Sequence, residues 1–105
     1  MTKTLMNISY FSPSLKGFSI YVKEYDTATI VYDERSGDVH RINQLSGLLL
    51  QQLIDTPHTS SQLANYLRET FDIDETFDDI LSNVEACLEH LKELELVEAT
   101  KSIPQ

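Results

Sequence analysis

From Phe18 the chain alternates apolar and polar positions. Phe18, Ile20 and Val22 are interleaved with Ser19, Tyr21 and Lys23, the period-two signature of a half-buried strand, predicted over residues 18–24. After the break at Asp26-Thr27, the β-branched and aromatic run ATIVY opens a second strand over residues 28–33. Asp33-Glu34-Arg35-Ser36-Gly37-Asp38 supplies turn chemistry, with Gly37 able to take a positive φ, and Val39 to Ile42 returns as a third strand over 38–42. Loops this short between strands predict an antiparallel meander.

The period then lengthens. Asn43 suits a helix N-cap, because its side chain can accept an orphan backbone N–H. The helix after it, residues 44–55, carries Leu45, Leu48, Leu49, Leu50, Leu53 and Ile54, and such wide apolar coverage predicts central burial. Thr56-Pro57-His58 ends it. Thr59-Ser60-Ser61-Gln62 reads as a capping box and starts a second helix over 60–71. A third helix is predicted over 75–95, with Asp74 as its cap. The core should gather Leu49, Leu53, Leu63, Leu67, Leu81, Val84 and Leu88. On the last helix Ile80, Cys87 and Leu94 widen the apolar stripe toward Asn83 and His90. Either the sheet or first helix covers that flank, or it forms a groove beside an open strand.

This pattern predicts one α+β domain, winged-helix-like, with a three-stranded antiparallel sheet followed by three helices. Residues 1–16 show no sustained period and read as a loosely ordered N-terminal arm. Residues 17–98 form the domain, and 99–105 a C-terminal tail. A chain of 105 residues is long enough for one core without staples. No apolar run approaches the ~20 residues that span a bilayer. The first residues lack a secretory pattern, and a single cysteine, Cys87, excludes an intramolecular disulfide, so the cytoplasm is the expected compartment.

Charge narrows the partners. Seventeen acids against eight bases leave a formal charge of -9, which opposes nucleic acid and anionic lipid and favours a neutral or basic partner. Strands beside three helices can build a DNA-reading winged helix, but from Asp74 to Glu98 there are nine acids and one base, Lys92. DNA would repel that helix.

Catalytic constellations are equally sparse, and no enzyme is expected. Cys87 and His90 could offer a metal two ligands where structural zinc needs four, so neither metal nor cofactor is expected, and Cys87 reads as core packing. The acidic run Asp72, Asp74, Glu75, Asp78 and Asp79 has Phe77 where a calcium loop needs its glycine bend. Those charges complement the helix dipole instead. His40 and His58 have no evident partner in the sequence.

Larger segments carry a resemblance. VYDERSGDVHRINQLSGLLLQQL, then TSSQLANYL, then FDIDE and a last helix ending HLKELELVEA together resemble the PqqD-like family, from about Ile20 to Glu98. The first segment is most similar to the branch of peptide chaperones in systems with a kinase related to HPr kinase. Two departures stand out: Glu95 replaces the usual glycine before the closing Leu-Val, and Leu45-Ser46-Gly47 stands where the family often has Thr-Ala-Ala.

The resemblance implies a recognition element for ribosomally made peptides. Such a domain binds a precursor's leader segment as an added strand and presents it to a modifying enzyme, here a radical SAM enzyme or a kinase-related protein. Backbone hydrogen bonds would supply affinity and side-chain pockets specificity. Carried onto this chain, the edge strand is Asp38, Val39, His40, Arg41 and Ile42, and the opposing helix flank offers Ile80, Asn83, Cys87 and His90. The alternative is a structural or oligomerisation subunit whose open edge pairs with a partner protein or, as a homodimer, with its own copy.

Overall fold

The computed structural model describes residues 7–12, 17 and 19–102. In chain order the elements are β1 (Asn7–Phe11), β2 (Ile20–Glu24), β3 (Thr29–Asp33), β4 (Asp38–Ile42), α1 (Gln44–Asp55), β5 (His58–Thr59), α2 (Ser60–Phe71), α3 (Phe77–Glu93) and β6 (Glu98–Ser102). The fold is α+β, and its sheets are antiparallel. The expected meander is present as β2-β3-β4, with Tyr21 opposite Tyr32 and Tyr32 opposite Val39.

A second three-stranded sheet, ordered β5-β1-β6, departs from the sequence reading. Within the stretch read as a loose arm, Asn7–Phe11 pairs with residues 98–102, which run from the last residue assigned to the domain into the stretch 99–105 read as a tail; Ser9 faces both Thr100 and Thr59. Residues 1–6, 13–16, 18 and 103–105 lie outside the described residues. The physical reason for the miss is contact range. A strand whose partners lie at the far end of the chain carries no turn signal, and the five residues NISYF are too few to establish a period. Tyr10 nonetheless packs into the core, and the Ser12 N–H donates to the Leu53 carbonyl at 3.2 Å, tying the end of β1 to α1.

Helix starts follow side-chain chemistry. Asn43 accepts from the Ser46 N–H at 2.7 Å, and Thr59 and Gln62 form the reciprocal capping box. The third start is a correction: Thr76, not Asp74, is the cap, its hydroxyl accepting from the Asp79 N–H at 3.1 Å. A hydroxyl at 76 does for the Asp79 amide what a carboxylate at 74 would do for an amide two residues earlier.

α1 lies at the centre, with Leu49, Leu50 and Leu53 fully buried. It packs against β2 and β3, against β1, and against α3, while α2 lies along α3. On α3 the buried stripe is Ile80, Val84, Leu88 and Leu91. Leu81, expected in the core, is only half-buried, and Ile80 takes its place. At 100° per residue Ile80 lies about 40° from Val84 and Leu81 about 60°, so the stripe closes between them.

Candidate functional site

β4 is the end strand of its sheet, and among the described residues no strand pairs with its outer edge. Its backbone donors and acceptors on that side are a template for another strand. Alternation divides its side chains. Val39, 65% exposed, and Arg41 lie on the face away from α1, whereas His40 is half-buried and Ile42 is in the core. Thus Ile42 contributes its backbone to the edge while its side chain anchors the strand.

Across from β4 stands the C-terminal end of α3. Between them opens a cavity of about 410 Å³, lined by Asp33, Arg35, Ser36, Asp38, His40, Glu93, Leu94 and Glu95. Carboxylates from three separate elements border it, with Leu94 as an apolar wall. That surface suits a basic or amphipathic side chain of an extended peptide.

Arg35 holds the cavity together. From the hairpin tip its Nε and Nη2 donate to the two carboxylate oxygens of Asp33 at 3.0 and 2.7 Å, and its backbone N–H donates to Asp33 Oδ1 at 3.0 Å. Nη2 also donates to the Glu95 carbonyl at 2.6 Å. Asp33 is only 3% exposed. Hydrogen bonds from the Arg35 side chain, and then from its backbone, hold the Asp33 carboxyl below the usual carboxylate range against the opposing effect of burial. A planar, bidentate guanidinium suits such a clasp.

Glu95 owes its position to the end of α3. Its N–H donates to the Lys92 carbonyl and the Leu96 N–H to the Leu91 carbonyl, the paired bonds of a Schellman motif. That motif puts Glu95 in the left-handed region, φ +63°, a conformation glycine adopts at least cost.

The expected helix flank is only partly met. Ile80, 2% exposed, belongs to the core and has no side-chain surface to offer, which corrects its place among the accessible groove residues. Asn83 and His90 are exposed, and Cys87 is half-buried against the core. His90 Nδ1 lies 3.9 Å from Glu93 Oε1. None of these four lines the cavity, whose helix side is Glu93, Leu94 and Glu95. Arg35 went unrecognised because its role depends on a carbonyl far along the chain; the Asp-x-Arg spacing of the turn was the available local signal. Among the described residues no three His, Cys, Asp or Glu side chains are grouped to hold a metal ion, and no helix is long and apolar enough to cross a membrane.

An α+β domain that leaves one sheet edge open beside a helix end has known relatives. The family model for coenzyme PQQ synthesis protein D (PqqD) matches residues 28–97, more than half of the chain, and this chain belongs to that family. It is similar to the solved structure of a lasso peptide synthetase B1 complexed with the leader peptide, at 25% identity and a TM-score of 0.57, covering 75% of this chain and 89% of that one. A search of the curated proteins gives no match.

Proposed function

We propose that this chain is a non-catalytic peptide chaperone. It captures the leader segment of a ribosomally made precursor as an added strand along Asp38–Ile42 and presents it to a modifying enzyme, of the radical SAM or kinase-related class. The observation that carries this reading is the open edge of β4 facing the end of α3 across the acidic cavity. The family membership and the similarity to a synthetase subunit solved with a leader peptide support it. β-Augmentation draws affinity from the main chain, and the cavity beside His40 and Leu94 adds side-chain selection. Asn83, Cys87 and His90 would border the peptide farther along α3.

The test is calorimetry with the precursor peptide encoded beside this chain's gene, on wild type and on two single variants, Val39→Pro and His40→Pro. Consecutive strand residues point their N–H groups to opposite edges, so one replacement deletes a bond to β3 and the other a bond to the ligand. The outward one should keep the circular dichroism spectrum and lose peptide binding. Full binding by both folded variants would remove β4 as the site. A mass that doubles with concentration and is blocked by neither variant's loss of ligand would favour the oligomerisation reading, which the charge of -9 opposes.

A further inference from the structure

The outward face of the β2-β3-β4 sheet is a second surface, which meets the β4 edge at Val39 and Arg41. Alternation sends six strand side chains outward: Tyr21, Lys23, Ile30, Tyr32, Val39 and Arg41. The registers put them in two rows across the sheet, Tyr21–Tyr32–Val39 and Lys23–Ile30–Arg41. Tyr21 is 56% exposed, Tyr32 40% and Val39 65%. The Tyr21 and Tyr32 rings sit 6.0 Å apart at a tilt of 31°. The opposite face of this sheet is covered by α1, so burial there leaves the tyrosines without a role in the core. Contiguous exposed apolar groups of this kind mark interaction surfaces, and tyrosine suits one that must also remain soluble.

Its charge is the reverse of the molecule's. The chain carries -9, yet the only charged side chains among those six are two cations, Lys23 and Arg41. We infer that this face docks an acidic protein surface: an apolar ridge bordered by carboxylates that meet Lys23 and Arg41 while the ridge covers Tyr21, Tyr32 and Ile30. A second copy presenting the same face would oppose cation to cation. A nucleic acid or an anionic bilayer extends its negative charge well beyond the patch and meets the acidic remainder of the chain. A protein with carboxylates confined to the rim does not. Opposite charges at a rim chiefly set partner choice and encounter rate.

The face shares Val39 and Arg41 with β4, but Tyr21 and Lys23, where it is tested, lie on β2, two strand spacings or about 10 Å from that strand. The probes are two synthetic amphipathic helical peptides sharing one Leu/Phe stripe, one bordered by glutamate and the other by lysine. They are accompanied by an oligothymidine and by phosphatidylglycerol vesicles. Each is titrated into the isotope-labelled full chain at physiological salt while backbone amides are followed by NMR. The glutamate-bordered helix should shift the Tyr21, Lys23, Ile30 and Tyr32 amides. Lys23→Glu should weaken it by roughly tenfold and improve the lysine-bordered helix, as expected when a rim charge is reversed. Tyr21→Ser should weaken both. Both altered side chains are exposed, so circular dichroism should be unchanged. Absence of shifts on this face, equal binding of the two helices, or preference for the oligothymidine or the vesicles would overturn the inference. Leader-peptide binding along β4, measured on the same Lys23→Glu protein, reports the other site independently.

Discussion

The Arg35 guanidinium and the Glu95 carbonyl, sixty residues apart in the chain, meet at 2.6 Å where the β3–β4 hairpin tip touches the end of α3. The same guanidinium is anchored on Asp33, which is almost wholly buried. One side chain therefore sets how far β4 stands from the helix end, and with it the shape of the cavity beside the open strand.

Replacing Arg35 should loosen this clasp. Arg35→Leu leaves the Asp33 carboxylate buried without its donor, and charged hydrogen bonds of this type contribute about 1–3 kcal/mol. Urea unfolding should show a loss in that range. Arg35→Lys should recover less than half of it, because an ammonium cannot make the forked contact.

Acid should act through the same pair. The folded pKa of Asp33 is lowered, first by the Arg35 side-chain hydrogen bonds. Its stabilising contribution is thus fully present above the unfolded value of about 3.9 and is lost as pH falls through the lower folded value. Asp33→Asn should flatten the stability–pH curve in that acidic window and leave its shape near neutrality unchanged. Denaturation midpoints measured from pH 2 to 7 on both proteins decide this.

Glu95→Gly should stabilise the protein. A non-glycine residue at φ +63° bears a left-handed cost of about 1–2 kcal/mol, partly offset by the greater freedom glycine has when unfolded. A net gain of up to about 1 kcal/mol follows. The Arg35 bond survives because it goes to the backbone. A midpoint that fell would show that the Glu95 side chain contributes more than the backbone strain costs.

Gly47 is required by close approach rather than by φ. A Cβ there would lie 2.7 Å from the Cβ of Thr29 on the adjacent strand, and Thr29 is 1% exposed and cannot retreat. Gly47→Ala should cost about 1–3 kcal/mol by overpacking. In the Thr29→Ala background the added cost should shrink, a coupling that a double-mutant cycle measures.

The sequence by itself determined the elements whose signals are local. The alternation over 20–24, the Gly37 turn, the Asn43 cap and the Thr59–Gln62 box each act within a few residues, and the meander and helices fall close to where they predict. The edge position of β4 followed from the same local logic, since a three-strand meander must leave its last strand at an end. Tertiary structure alone decided the rest. The β1–β6 pairing joins the two ends of the chain, and no local period could announce it. On α3, Ile80 and Leu81 flank Val84 on opposite sides at about 40° and 60°, offsets so similar that only the packing of α1 and α2 against α3 decides which enters the core. The Asp33–Arg35–Glu95 clasp, and with it the helix side of the cavity, exists only once the hairpin tip meets a left-handed turn sixty residues away. Side chains that act within a turn of backbone can be read in sequence; a guanidinium that reaches a distant carbonyl needs the fold to bring them together.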